Sequence, residues 1–136
     1  MLSLIAMEYE VVGGTISGKL VIFKDEDMVS EKPAHKSAVT AIHKRTNNRG
    51  FITGGNDAMI LIWDGNYNIV QSINLLKQLE TSKISSMNPK IRAICEDSNQ
   101  NITIGTRGGE LLDLKKDGSL SVLNRGHFKG ELKGLC

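Results

Sequence analysis

Phe51-Ile52-Thr53-Gly54-Gly55-Asn56-Asp57-Ala58-Met59-Ile60-Leu61-Ile62-Trp63-Asp64 is the stretch whose reading decides the fold. An apolar run ends in Thr53 and breaks at Gly54-Gly55-Asn56-Asp57, residues that tolerate positive φ and make tight turns. It resumes over Met59 to Trp63, β-branched and aromatic enough for a second strand. The stretch is therefore a β-hairpin. Upstream, Ala34-His35 precedes Lys36 to Ile42, which alternates as a further strand.

The hairpin recurs. Gly13-Gly14-Thr15-Ile16-Ser17-Gly18-Lys19-Leu20-Val21-Ile22-Phe23 lies on Thr53 to Trp63 with a shift of 40 residues, so that Phe23 falls on Trp63 and Ser17 on Asp57. Ile104 to Leu114 lies on the same stretch with a shift of 51, placing Gly108 and Leu114 at the Asp57 and Trp63 positions. The longer shift implies an insertion between the second and third units. The expected units are 1–33, 34–75 and 91–124, an insertion loop at 76–90 and the start of a further unit at 125–136. Strands are expected near 2–6, 10–14, 19–23 and 28–31 in the first unit, with Pro33 in the link. Asn68 to Asn74 is the outer strand of the second unit; Ile91 to Cys95 and Ser119 to Leu123 flank the third. The polar insertion, with Ser82, Ser85, Ser86 and Pro89, reads as a loop with at most one helical turn.

The closing Trp63-Asp64 and the Ala34-His35 standing where such units carry Gly-His resemble the WD repeat. That resemblance implies an all-β fold, a β-propeller of four-stranded antiparallel blades. A blade takes about 40–45 residues and a propeller about 4–8 blades, so 136 residues hold about three, a partial propeller. The missing blades are expected from the rest of a longer chain or from self-association, and Gly126-His127 opens a unit that stops early. Ile91-Arg92-Ala93-Ile94, Ile104-Gly105-Thr106 with Glu110-Leu111, and Gly126-His127-Phe128-Lys129-Gly130-Glu131-Leu132-Lys133-Gly134-Leu135 resemble segments of the echinoderm microtubule-associated protein-like family. Its I-R-x-I, I-G-T-x-x-x-E-I and G-H-x-x-G-E-L-W-G-L motifs follow in the same order, and Thr53-Gly54-Gly55-Asn56-Asp57 is similar to its T-G-G-x-D turn. Lys133 departs from the family's tryptophan, and Asn56-Asp57-Ala58 from its commoner Lys-Asp-Gly. The resemblance implies tubulin or microtubules as partner, a non-catalytic scaffold role and a cytoplasmic, cytoskeletal location. A generic WD-repeat adaptor for another protein complex is the alternative.

In WD repeats the positions of His35, Thr53, Asp57 and Trp63 form a hydrogen-bond relay: the indole N–H donates to the hydroxyl, the hydroxyl bonds the imidazole, and the turn aspartate anchors the ring. Burial removes water, so each group needs its partner. Thr, His and Asp could also be taken for a nucleophile set, but Trp63 capping the hydroxyl favours the structural role. Ser17/Phe23 and Gly108/Leu114 replace the Asp/Trp pair in the other units, which are expected to rely on packing alone. Gly13 to Leu20 fits G-x-x-x-x-G-K yet has Leu20 where Ser or Thr must reach magnesium, and a strand follows where a phosphate loop needs a helix. An enzyme is not expected, nor any cofactor or metal.

The chain carries 17 basic and 15 acidic residues, net +2, too balanced to point to nucleic acid. Cys95 and Cys136 lack pairing or metal spacing, which favours unpaired cysteines in a reduced, intracellular setting. The apolar start Met1 to Met7 ends at Glu8 and Glu10, too soon for a signal peptide or a membrane span, so no membrane association is expected. His43-Lys44-Arg45 with Arg49 forms a basic loop; it reads as a solvated loop or as contact with an acidic partner. Lys44, Arg45 and Arg107 are the candidate partner-contact residues.

Overall fold

The computed structural model describes residues 3–7, 10–25, 27–45, 50–84, 86 and 88–124. The expected fourth unit with Gly126 and His127, together with Arg49, Ser85 and Cys136, lies outside the described residues. Among the described residues twelve strands make three antiparallel meanders of four, and within each meander every strand is hydrogen-bonded to its neighbour in sequence. The first sheet holds β1 (Ser3–Ala6), β2 (Val11–Gly14), β3 (Lys19–Lys24) and β4 (Asp27–Pro33). The second holds β5 (Val39–Lys44), β6 (Phe51–Gly55), β7 (Met59–Trp63) and β8 (Ile69–Asn74). The third holds β9 (Ile91–Glu96), β10 (Ile102–Thr106), β11 (Leu111–Leu114) and β12 (Leu120–Asn124).

The sheets stack side by side. β1 and β2 pack on β5, and β5 and β6 pack on β9. Side chains alternate across a strand, so β6 and β7 feed both neighbours. Phe51, Leu61 and Trp63 join Val12, Leu20 and Ile22 of the first sheet in one core. Ile52, Ile60 and Ile62 join Ile91, Ile94, Ile102, Ile104, Leu112 and Leu114 of the third in another. A sheet buried on both faces reads as a continuous apolar run rather than a polar alternation, which is why Met59 to Trp63 shows no polar position. Each such side chain contributes about 1.5–3 kcal/mol on burial.

Several expectations are corrected. The segment after β8 is not a loop with one turn: it opens with the seven-residue helix α1 (Leu75–Thr81). The Asn74 side chain accepts a hydrogen bond from the Lys77 N–H as N-cap, and Leu75 and Leu79, one turn apart, are buried in the second core. β4 runs to Pro33 instead of ending before it, because an outer strand tolerates a residue without an N–H. The strand expected over 36–42 starts at Val39, since Lys36 and Ser37 bend over the neighbouring hairpin turn. Cys95 is not a free thiol; spacing along a chain does not reveal which distant groups the fold unites.

Three turns carry a left-handed residue at the same place: Gly18 (φ 87°), Ala58 (φ 61°) and Gly109 (φ 84°). Gly18 also sits at a junction between sheets. Its carbonyl accepts from the N–H groups of Ala34 and His35 at 3.0 and 2.8 Å, and the Thr15 carbonyl accepts from Val39 N–H at 3.0 Å. A Cβ on Gly18 would lie 2.2 Å from the His35 carbonyl oxygen, whereas one on Gly118, also left-handed at φ 94°, would meet nothing. Gly118→Ala is therefore expected to cost only the backbone strain, about 1–2 kcal/mol. Gly18→Ala should cost about 3 kcal/mol or more, since the backbone must also move apart. Denaturant unfolding of the two variants checks the difference; equal losses would remove the claim that Gly18 locks the first junction.

Candidate functional site

The hairpin β6–β7 and the segment before β5 bring His35, Thr53, Asp57 and Trp63 into one connected chain. Trp63 Nε1 donates to Thr53 Oγ1 at 3.0 Å. Thr53 Oγ1 lies 2.8 Å from His35 Nε2, and His35 Nδ1 lies 3.0 Å from Asp57 Oδ1. The Asp57 carboxylate can only accept, so Nδ1 donates to it. In the neutral ring Nε2 is then the acceptor, taking the proton of the Thr53 hydroxyl, whose oxygen accepts from the indole. Every bond then runs in one direction, from Trp63 to Asp57, and each polarises the next. Asp57 further accepts from the N–H groups of Lys36 at 3.0 Å and Met59 at 3.1 Å, which ties the turn to the entering chain.

Packing seals the site. Thr53 is 0% exposed, and Trp63 stacks on Phe51 with ring centroids 5.6 Å apart and planes 8° from parallel. The His35 side chain is wholly buried. Desolvation by that burial lowers its pKa below the ordinary 6.5, outweighing the opposing pull of the Asp57 charge and hydrogen bond. A neutral His35 is what the Nδ1–H tautomer requires.

The three candidate contact residues do not share a surface. Thr40 Oγ1, at the start of β5, donates to the carbonyls of Gly54 and Ile91, while Arg45, just past its end, reaches Glu96. β5 and β9 thus run the same way, and Lys44 and Arg45 lie at one edge of the sheets. Arg107 is in the β10–β11 turn at the other edge, its N–H donating to the Lys90 carbonyl. Lys44 and Arg107 are exposed. Arg45 is not a solvated contact: its Nε and Nη2 donate to Glu96 Oε2 at 3.0 and 2.8 Å, and the Glu96 side chain is 2% exposed. An almost dry carboxylate needs a paired cation, and Arg45 supplies it across the second junction. The same burial lowers the pKa of the neighbouring His43, with the Glu96 charge opposing.

Two polar groupings escape a reading of the sequence. Glu96 is one. The other replaces the relay in the third sheet, which does not rely on packing alone: buried Glu110 accepts from Thr106 Oγ1 at 2.8 Å and from Ser86 Oγ. Thr106 and Glu110 flank the turn at the spacing of a T-x-x-x-E motif, the one signal that could have disclosed them. In the first sheet Thr15 and Ser17 share an exposed hydrogen bond at 3.0 Å. Lys19 opens strand β3 and pairs with Glu31 at 2.7 Å, so the glycine-rich stretch leads into no helix. Among the described residues no group of three His, Cys, Asp or Glu side chains converges as a metal site, and no helix is long and apolar enough to cross a membrane.

No protein-family profile matches the chain. It is 22% identical over 130 residues to the 77 kDa echinoderm microtubule-associated protein of Lytechinus variegatus, a match that covers 93% of this chain and 18% of that protein. Among solved structures it resembles the WD40 repeats of RRP9 with a TM-score of 0.71 at 15% identity, over 93% of this chain and 37% of that one. It resembles U3-55K with a TM-score of 0.69 at 14% identity, over 89% of this chain and 36% of that one. The fold is accordingly all-β, a partial propeller of WD repeats with three four-stranded antiparallel blades. The chain is similar in sequence to an echinoderm microtubule-associated protein and spans a minor part of its length.

Thr53→Val keeps the volume but strands the Trp63 N–H and unseats His35, an expected loss of about 2–3 kcal/mol by denaturant unfolding. Thr53→Ser keeps the hydroxyl and should lose less; a larger loss for Ser than for Val would show that packing, not the relay, matters at this position. Because the folded pKa of His35 lies below the unfolded 6.5, the unfolded chain binds the extra proton. Stability is then fully present above pH 6.5 and falls as the pH drops from there towards the folded pKa. Unfolding midpoints measured from pH 8 to 5 should show that decline, and His35→Gln should shrink it, leaving the share that His43 adds in the same direction.

Proposed function

We propose that the chain is a non-catalytic protein-interaction scaffold whose partner is tubulin or the microtubule. The observation that carries the scaffold reading is the burial of the Thr-His-Asp grouping: the Thr53 hydroxyl is dry, already donates to His35 and lies beneath the Trp63 indole. A nucleophile needs an approach path for its substrate, and this hydroxyl has none. What the blades offer outward is a rigid frame carrying loops, the ordinary means by which such folds bind partners. Tubulin as partner, and with it a cytoskeletal location in the cytoplasm, is supported by the sequence similarity to the echinoderm protein and by the family-like segments Thr53 to Asp57, Ile91 to Ile94, Ile104 to Leu111 and Gly126 to Leu135. Lys44 and Arg107 remain candidate contacts for an acidic surface, each on its own edge; nucleic acid is not proposed as a partner.

A second reading, an adaptor for another protein complex, is favoured by the likeness to the RRP9 WD40 repeats and U3-55K, which covers nearly the whole chain. Co-pelleting of the chain with stabilised microtubules across a salt series separates the two. Tubulin binding predicts pelleting that needs microtubules and fades as salt screens surface charge. A chain that stays in the supernatant at every salt concentration overturns the tubulin reading and leaves the adaptor.

A further inference from the structure

β5 and β9 are the first strands of the second and third sheets, and they pack on one another. The Thr40 hydroxyl donates across to the Ile91 carbonyl, and the Glu96 charge at the end of β9 acts on His43 of β5. His43 therefore faces Glu96 across the second junction. A shift of 52 residues lays β5 on β9, so that Val39 falls on Ile91, His43 on Cys95 and Lys44 on Glu96. Ile94 enters the core shared with the second sheet and Glu96 holds Arg45 of that sheet. Cys95 lies between them, and side chains alternate along a strand, so it faces away from the second sheet.

The side to which Cys95 turns has little apolar grip. Ile52, Ile60 and Ile62 are the side chains with which the second sheet holds the third. Their counterparts one unit on, at the shift of 51, are Thr103, Leu111 and Asp113. A unit held there by burial alone would be weakly held, since only one of the three positions remains apolar.

Cys95 is not a free thiol, and the chain has one other cysteine, Cys136. Aligning Gly126-His127 with Ala34-His35 carries His43-Lys44 onto Leu135-Cys136. Cys136 thus takes the place that Glu96 has in the third sheet. His43 opposite Glu96 in one junction becomes Cys95 opposite Cys136 in the next.

We propose that Glu131 to Cys136 lays a further first strand over the far face of the third sheet, and that a Cys95–Cys136 disulfide fastens it there as a redox-dependent clasp. A disulfide needs Cα atoms about 4.4–6.8 Å apart, a reach comparable to that of the Thr40 side chain, which spans β5 to the Ile91 backbone. Two thiols join with the loss of two protons and two electrons. Glutathione disulfide takes up both by thiol–disulfide exchange and leaves as two molecules of glutathione. Disulfides in a reducing compartment form transiently and sense oxidation, so the clasp opens and closes with the redox state around the chain. It goes beyond the scaffold reading and is independent of which partner the scaffold binds.

The 136-residue chain, equilibrated in glutathione redox buffers, quenched with acid, alkylated and digested with trypsin, tests the clasp by mass spectrometry. The expected product is Ala93–Arg107 linked to Gly134–Cys136, a pair that separates on reduction. Its equilibrium constant of formation should be larger in native buffer than in concentrated urea by about tenfold or more, because the fold holds the two thiols together. The double variant Leu135→Cys, Cys136→Ser moves the second thiol by one residue and so to the other side of the strand. There the native-to-urea ratio should fall to about one, with circular dichroism verifying that the sheets are intact. Cysteines linked only between chains, equal constants in native buffer and in urea, or an undiminished ratio in the double variant overturns the clasp.

Discussion

A four-stranded sheet of this size is too thin to have a core of its own, and every other feature of the molecule answers that constraint. The second sheet must bury both faces, so Phe51, Leu61 and Trp63 turn to one neighbour and Ile52, Ile60 and Ile62 to the other. Stability then resides in junctions rather than in sheets, as in other repeat architectures. The strands of each sheet are joined by short turns, and the sheets by links that themselves become part of the next junction.

Each junction also encloses polar backbone and side chains that water can no longer reach, and three different solutions appear. The first uses the directed relay from Trp63 to Asp57, which requires a neutral His35 and draws it from the same burial that makes the relay necessary. The second uses the Arg45–Glu96 ion pair and the Thr40 hydroxyl, which bonds carbonyls of two sheets. The turn of the third sheet uses Glu110, held by Thr106 and Ser86 from the segment that follows α1. The repeat is conserved in shape across the three sheets while its internal chemistry is not, because any donor and acceptor set that closes the accounting for buried groups will serve.

The same constraint shapes what the surface can offer. Charge at the edges is divided: Lys44 stands at one edge and Arg107 at the other, and Arg45 is absorbed into the core side of a junction. A single basic face is thus not present in these residues. Where two sheets diverge beyond an ion pair, a cleft remains, and its lining is set by the outer strand of one sheet and the turns of the next.

The sequence by itself determined the local units. The hairpin Phe51 to Trp63 is legible because two apolar runs flank residues that accept positive φ, and its repetition at 13–23 and 104–114 needs no knowledge of the third dimension. The relay residues were legible for a related reason, since Thr53, Asp57 and Trp63 lie on one hairpin and His35 on the link that enters it. The tertiary structure alone decided the rest. Arg45 and Glu96 lie in different units, and no periodicity couples them; they meet because β5 and β9 run the same way in adjoining sheets. The helix Leu75–Thr81 forms because Leu75 and Leu79 find a core to enter, in a stretch whose polar remainder hides the pattern. Glu110 looks like an ordinary turn carboxylate until the insertion folds Ser86 over it. Local spacing records contacts within a hairpin, and contacts between sheets depend on packing that no single stretch encodes.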